Sequence, residues 1–570
     1  MSLPPEAGVP ERATGPGSAE APAQDEADTG DGRASWARPA AMGRVAGAAA
    51  VITLLTVVAR LAGFGRTFVF LHTVGHDGLA NVYNAANMIP NIVFEIVAGG
   101  ALASLVVPLL AGAVADGDRT RVTAVASALL TWALTLLVPL ALAVALAAGP
   151  IAGLLDIPAT DQVVAARMLR VFAPQLPLYG IGIVLTGVLQ AHHRFAWPVI
   201  APLLSSVTVM TAYLTYAAVD GAGSDLTGLS RPGELTLSIG TTLGVVVLAL
   251  CLVVPLHRLR LRLRPRYRFP GGEGRQAVRL GWAGAVTVGA QQIMVATVVV
   301  LAVHGPLTLY MSAQTMFLLP WAVLAVPLAT AVYPGLATAA ARGDETGYAD
   351  TLSRTARKVV LLACLGAAAL AALAVPAASL LNADGAAPGM VGFAPGLLGY
   401  ALFALLSRAL YARGATAAAA LATAAGWGVA AVSALALWAV LPGRDRVFGL
   451  GLANTVGMTV LGLLLVAAVR RRAGAAALAG LPRATGVGIV AAVAAGLVAW
   501  AASQGVGHAL GAAPDGVRSL TQGILGGVVL VAGFVAVAYP LDRHDVRPLV
   551  ATLARRLRRR GATPNGRNTP

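Results

Sequence analysis

Two arginines, Arg60 and Arg66, stand inside an apolar stretch that runs from about residue 45 to 74, and a carboxylate, Glu95, stands inside the next one. A charge at such a position costs about 3 kcal/mol or more in lipid, so these three face a cavity or one another. Two chemistries fit. An Arg60–Glu95 ion pair would pin the first two helices together, because leaving one such charge without its partner is costly. Alternatively, Arg60 and Arg66 attract an anionic group on a substrate, for which the planar, bidentate guanidinium suits phosphate. Gly63 and Gly65 between them would let the helix bend, let a headgroup approach the backbone, or let two helices pack closely.

Other polar residues share these apolar stretches. Asn81, Asn84, Asn87 and Asn91 are spaced three, three and four apart, which places them on one helical face toward a cavity or a neighbouring helix. Asn87, Asn91 and Arg170 join Arg60, Arg66 and Glu95 as candidate cavity residues. Arg167 and Arg170 lie one to two turns inside a helix end, where snorkelling to the interface is the competing reading. Gln291, Gln292 and Gln314 form a sparser polar set. Pro90 and Pro320 are candidate hinges alongside Gly63 and Gly65.

A catalytic constellation does not emerge. His192 and His193 have no metal-spaced partner, and no glycine-rich phosphate loop or nucleophile motif occurs in a fitting context. Cys251 and Cys364 each lie in apolar stretches, which gives no basis for a disulfide framework. The residues therefore suggest a transporter rather than an enzyme. No cofactor or metal is expected; a coupling ion or the membrane potential would reset the carrier.

The elements that position these residues follow from composition. Of 570 residues, 57% are hydrophobic and only 12% charged, against about 25% charged in average globular proteins. Most positions must face lipid or other apolar helices. Stretches long enough to cross a hydrocarbon core of about 30 Å fall near 45–74, 80–113, 122–148, 162–190, 197–219, 235–256, 276–303, 306–340, 352–382, 391–413, 416–441, 447–469, 484–502 and 519–540. The fold class is thus an all-α polytopic membrane protein of about fourteen transmembrane helices.

Loop charges test the count, since cytoplasmic loops carry the Arg and Lys. With the N-terminus inside, inner loops hold Arg119, Arg121, Arg194, the run Arg258 to Arg268, Arg342, Arg354, Arg357, Lys358, Arg413, Arg470, Arg471, Arg472 and Arg483; outer loops hold only Arg231, Arg444, Arg446 and Arg518. One helix missed or added would invert every later loop. Both termini are expected in the cytoplasm, in a bacterial inner membrane. The net charge of +16 reads as topology, so nucleic acid is not an expected partner. Arg at every second position from 258 to 268 suits neither one helical face nor a buried strand. It reads first as a topology signal and second as a strip for anionic headgroups.

An internal repeat is visible. Pro108 precedes Gly117-Asp118 as Pro334 precedes Gly343-Asp344, ten residues from Pro to Asp in both, in helices six apart. The expected organisation is a disordered acidic tail, 1–40; helices 1–6, 41–256; a basic linker, 257–275; helices 7–12, 276–470; helices 13 and 14, 471–541; and a basic tail, 542–570. The two six-helix lobes would surround a central cavity.

Specific motifs carry a resemblance. The stretch Ala59-Arg60-Leu61-Ala62-Gly63-Phe64-Gly65-Arg66, then Ile89-Pro90-Asn91, Gly99-Gly100-Ala101-Leu102 and Pro108, resembles the opening of MurJ/MviN-type lipid II flippases. His193-Arg194-Phe195-Ala196-Trp197-Pro198 with Pro202, and the Pro320 to Pro334 segment, resemble later parts of that family, within the multidrug and polysaccharide-lipid exporter superfamily. The resemblance implies fourteen helices in two lobes and outward transfer of a polyprenyl-diphosphate-linked peptidoglycan precursor by alternating access. It also implies that Arg60 and Arg66 line a cavity for the pyrophosphate and sugar headgroup. Implied partners are this anionic lipid-linked substrate, membrane lipids and cell-wall synthesis proteins. The alternatives are an ion-coupled exporter of drugs or other lipid-linked glycans using Glu95, and a non-transporting cell-wall scaffold. Departures from the pattern are Asn81 and Gly99 where the family carries acids, Phe94 followed by Glu95 where it has an Arg, and Gln314-Thr315 in place of an Asp-Arg pair.

Overall fold

The computed structural model describes residues 55, 58–155, 157–223, 225–259, 261–270, 273–543 and 547. The tail 1–40, the start of the first span, Arg260 and, apart from Asp542, Arg543 and Arg547, the tail 542–570 lie outside the described residues. Everything below concerns one compact unit, Leu54–Pro570.

Lipid offers the backbone no hydrogen-bond partner, so spanning segments satisfy their own N–H and C=O groups as helices. No strand occurs among the described residues. The first helix, α1, covers 58–73. The second, α2, joins Gly78–Phe94 to Gly100–Ala115 through a π turn, Glu95–Gly99. There follow α3 (Arg119–Leu146), α4 (Ala159–Ala191), α5 (Ala196–Asp220), α6 (Arg231–Leu259) and α7 (Glu273–Ala302). Next come α8 (Leu307–Arg342), α9 (Glu345–Ala372), α10 (Asp384–Phe393 with Gly396–Ala412), α11 (Thr416–Val440) and α12 (Arg446–Ala473). The last two are α13 (Leu481–Ala509) and α14 (Asp515–Leu541). By length and composition eleven of these can cross a membrane, and α10, bent by 57°, makes a twelfth. The described part of α1 and the interrupted α2 lie where hydropathy places the first two spans.

The repeat extends well beyond the Pro and Asp pairs. Helix α3 maps onto α9 with a shift of 226 residues at both ends, 119 to 345 and 146 to 372. The same shift relates the π turn at Glu95 to one at Trp321–Ala325 in α8. It also relates Gly117 (φ 70°) to Gly343 (φ 69°), and the N-cap of Asp118 on the Arg121 N–H to that of Asp344 on the Gly347 N–H. The positive φ at both glycines lets each helix end turn straight into the next cap. Later the register slips: the break at Ala173-Pro174 in α4 corresponds to that at Ala394-Pro395 in α10, 221 residues on.

Helix packing relies on small residues. Gly399 on α10 lies so close to the Met458 carbonyl of α12 that an added methyl would collide with backbone, and Gly392 and Gly451 meet in the same way. Close approach of this kind replaces a hydrophobic driving force that lipid does not supply.

The basic linker departs from expectation. Residues 261–268 run extended along α3: the Arg264 and Arg266 amides donate to Ser127 Oγ (3.2 Å) and Thr131 Oγ1 (2.9 Å), and Trp132 Nε1 donates to the Tyr267 carbonyl (3.0 Å). Its alternation is now explained. Leu261 and Leu263 pack against the helices while Arg262 and Arg264 stay exposed, the two faces of a half-buried extended ribbon; from Pro265 to Arg268 every residue is exposed.

Candidate functional site

Two polar chambers lie between the repeats, one beyond the other along α1. The first, about 130 Å³, is bounded by Arg66, Tyr83, Asn84 and Asn87 from α1 and α2, Tyr213 and Thr241 from α5 and α6, and Thr308, Ser312 and Thr315 from α8. The second, about 340 Å³, lies nearer the end that carries the Arg-rich turns. It is lined by Arg60, Gly63, Arg66 and Thr67 from α1, Ser205 and Ser206 from α5, and Thr315 and Leu319 from α8, among others. Arg66, Thr67 and Thr315 face both. Six residues separate the two guanidinium groups' helix positions, about 9 Å along the axis.

The chambers close at the end away from the Arg-rich turns. Asn81 Nδ2 donates to the Gly305 carbonyl (2.5 Å) and its Oδ1 accepts from the Thr308 amide (2.9 Å), while Asn84 Nδ2 donates to Thr308 Oγ1 (3.0 Å). All three side chains are buried. Just beneath them Tyr83 OH meets Tyr213 OH (3.0 Å) and Thr241 Oγ1 (2.5 Å). Asn87 Oδ1 is buried on the chamber wall with no hydrogen-bond partner. Such an atom is costly unless a ligand or water completes it.

The expected site residues thus divide. Arg60, Arg66, Asn87 and Gly63 line the chambers. Gly65 instead faces Met210 on α5, 3.8 Å from its sulfur. Asn91 is exposed on α2, and Glu95, half-buried in the π turn, folds its carboxylate over Gly99; neither borders a chamber. No ion pair joins Arg60 to Glu95, so the structural pairing of α1 with α2 is not formed. Arg170 is exposed on α4 and lines neither chamber. Arg167 neither snorkels nor enters the cavity: it grips buried Glu234 on α6 through Nε (3.0 Å) and a terminal nitrogen (2.5 Å), with Arg231 on the same carboxylate. Pro90 lies five residues before one π turn and Pro320 directly before the other.

Among the described lining residues the only charges are Arg60 and Arg66, both cationic. The hydroxyl wall escaped sequence reading. Thr308, Ser312 and Thr315, spaced four and three apart, carry the one-face signature that would have revealed it. No group of three or more His, Cys, Asp or Glu side chains that could hold a metal occurs among the described residues. The arrangement suits an anion flanked by hydroxyl-rich groups.

A family model described as lipid II flippase MurJ matches residues 70–509. The "Probable lipid II flippase MurJ" of Rhizobium meliloti (strain 1021) is 28% identical over 337 residues, 57% of this chain and 61% of that protein. The "Lipid II flippase MurJ" of Burkholderia cenocepacia is 25% identical over 347 residues, 57% of this chain and 64% of that protein. The matched stretch therefore spans less than two thirds of either relative's length. Among solved structures, one titled "Lipid II flippase MurJ, inward closed conformation" superimposes with a TM-score of 0.65 at 15% identity, covering 86% of this chain and 99% of that one. An inward-facing multidrug resistance MATE family transporter of the MOP superfamily gives 0.58 at 15% identity, covering 74% and 94%. At such identities these two matches establish the shared fold alone.

Proposed function

We propose, from the premise that this chain belongs to the MurJ family of lipid II flippases, that it moves a polyprenyl-diphosphate-linked peptidoglycan precursor from the inner to the outer leaflet by alternating access. The observation that carries this reading is Arg66, shared by two chambers whose described lining is cationic and rich in hydroxyl groups. The diphosphate would bind Arg60 and Arg66 through charge-assisted hydrogen bonds. Sugar and peptide groups would meet Tyr83, Asn87, Ser205, Ser206, Thr308 and Ser312, while the polyprenyl tail stays in lipid.

The Arg-rich end faces the cytoplasm in this proposal, with both termini inside, as the loop charges favour. The buried Asn81, Asn84 and Thr308 contacts then form the outer gate, and the carrier is closed to the outside. Resetting follows from charge. A loaded cavity is largely neutralised by the diphosphate, whereas the empty one carries two guanidinium charges that an inside-negative potential draws back inward, by up to about 2.3 kcal/mol per charge per 100 mV. The chain acts as a carrier rather than an enzyme. The described lining of these chambers holds two arginines and no carboxylate, which favours an anionic cargo over a cationic drug.

The test is complementation of a strain depleted of its lipid II flippase, paired with an assay of lipid II accessibility at the outer surface. Arg66→Ala and Arg60→Ala proteins that insert normally are expected to lose translocation, with partial recovery in Arg66→Lys. Full translocation by both Ala variants would overturn the headgroup role.

A further inference from the structure

A third polar cavity lies outside the transport path. About 300 Å³ in volume, it is walled by Arg119, His192, Arg194, Arg258, Leu259 and Leu261, and no carboxylate is among them. Three separate turns at the Arg-rich end meet here: the start of α3, the turn from α4 to α5, and the end of α6 where the extended ribbon begins. His193 sits in the left-handed region at φ 57°, a strained conformation for a residue with a side chain, and this lets both its neighbours line the cavity. His192 Nδ1 donates to the Val188 carbonyl (2.8 Å), leaving Nε2 as the ring nitrogen for a ligand. None of the three arginines has a carboxylate partner among the described residues.

The surroundings identify the kind of anion. Leu259 and Leu261 give the cavity an apolar side, and Phe195, next to Arg194, is an exposed aromatic of the sort found at membrane interfaces. From the cavity the ribbon climbs α3. Its amides reach Ser127 and Thr131, eight and twelve residues beyond Arg119, about 12 and 18 Å along the helix. The exposed row Arg262, Arg264, Arg266 and Arg268 therefore continues the positive charge of the cavity along the start of α3, and none of the four has a carboxylate partner among the described residues; basic residues beside a spanning helix attract anionic lipid headgroups. Soluble phosphate would explain the cavity but not the ribbon.

The geometry points to a binding site for the phosphodiester headgroup of an anionic phospholipid of the inner leaflet, held by Arg119, Arg194 and Arg258 and continued by the ribbon on α3. The site is separate from the Arg60 and Arg66 chambers and does not depend on what those chambers carry. It depends on the orientation only for the leaflet it occupies.

Native mass spectrometry of the full-length protein in detergent tests this, with phosphatidylglycerol, phosphatidylcholine and inorganic phosphate as probes. Wild type is expected to retain phosphatidylglycerol over phosphatidylcholine. The Arg119→Gln, Arg194→Gln, Arg258→Gln triple variant should bind it on the order of a hundredfold more weakly, and Arg194→Gln alone about fivefold. Arg470→Gln, Arg471→Gln, Arg472→Gln removes equal charge from the same end and should bind as wild type does. If the triple variant fails to fold, the single variant and an Arg-to-Lys triple, which retains charge, decide the matter. Equal binding by wild type and the cavity variants, equal loss in both triple variants, or no preference for phosphatidylglycerol overturns the site. Displacement of phosphatidylglycerol by inorganic phosphate at equal concentration overturns the lipid assignment in favour of a soluble ion.

Discussion

Asn84 on α2 donates to the hydroxyl of Thr308 on α8 at 3.0 Å, a buried bond that joins one half of the internal repeat to the other. Together with the two bonds of Asn81 it forms a latch that holds the chambers shut at one end. Opening there requires all three bonds to break, and each unmet buried group costs about 1–3 kcal/mol.

Weakening the latch should therefore expose the first chamber. With Cys251 and Cys364 replaced by Ala and a reporter Cys at Ser312, an impermeant thiol reagent should label the otherwise unaltered protein slowly. Adding Asn81→Ala with Asn84→Ala should raise labelling about tenfold or more. Unchanged labelling would show that the closure lies elsewhere.

Two glycines should respond oppositely to a side chain. A methyl group on Gly63 meets nothing within 4 Å, whereas on Gly399 it would strike the Met458 backbone. Gly63→Ala is expected to fold with wild-type thermal stability and to lose translocation wherever the headgroup approaches α1 closely. Gly399→Val should lower stability by about 1–3 kcal/mol as α10 and α12 are forced apart, visible as earlier aggregation on size-exclusion after heating.

Glu234 holds two arginines with a buried carboxylate. Glu234→Ala leaves Arg167 and Arg231 facing one another. Because both are partly exposed, the loss should be about 2–3 kcal/mol rather than the larger figure for a fully buried pair. Arg167→Met combined with Glu234→Leu should recover part of that loss in the same melting assay.

Asp344 lies at a turn outside the spans, where the Gly347 amide and the Thr346 hydroxyl hold its carboxyl below the usual carboxylate range. A depressed folded-state value means that the stabilisation is complete above the unfolded-state value and is lost as pH falls through the folded one. The melting difference between wild type and Asp344→Ala should thus be full at neutral pH and shrink only in acid. A difference that grows with acidity would contradict this.

Much of the fold was legible because lipid imposes simple rules. Long apolar stretches had to be helices, and the Pro108 to Asp118 and Pro334 to Asp344 match announced a repeat that continues through α3 and α9. The site was legible in part. Arg60 and Arg66 stood out as charges in apolar surroundings, but nothing in Glu95 revealed that it would turn over Gly99 instead of pairing with Arg60. That choice depends on the π turn, whose register is set by packing rather than by a residue type. The Leu and Arg alternation of the linker was visible, yet its meaning required the Ser127 and Thr131 hydroxyls, over a hundred residues away, to supply backbone partners.

The paired π turns at Glu95 and Trp321 have a rotational consequence. Each inserts about one extra residue into its helix, which advances everything beyond it by about 100° around the helix axis. In α2 this decouples two faces that a continuous helix would lock in phase: the one that presents Asn84 and Asn87 to the chamber, and the one by which Gly100–Ala115 packs on α7. A one-residue deletion at either turn would leave the length of the span nearly unchanged and still swing its far half away from its neighbour.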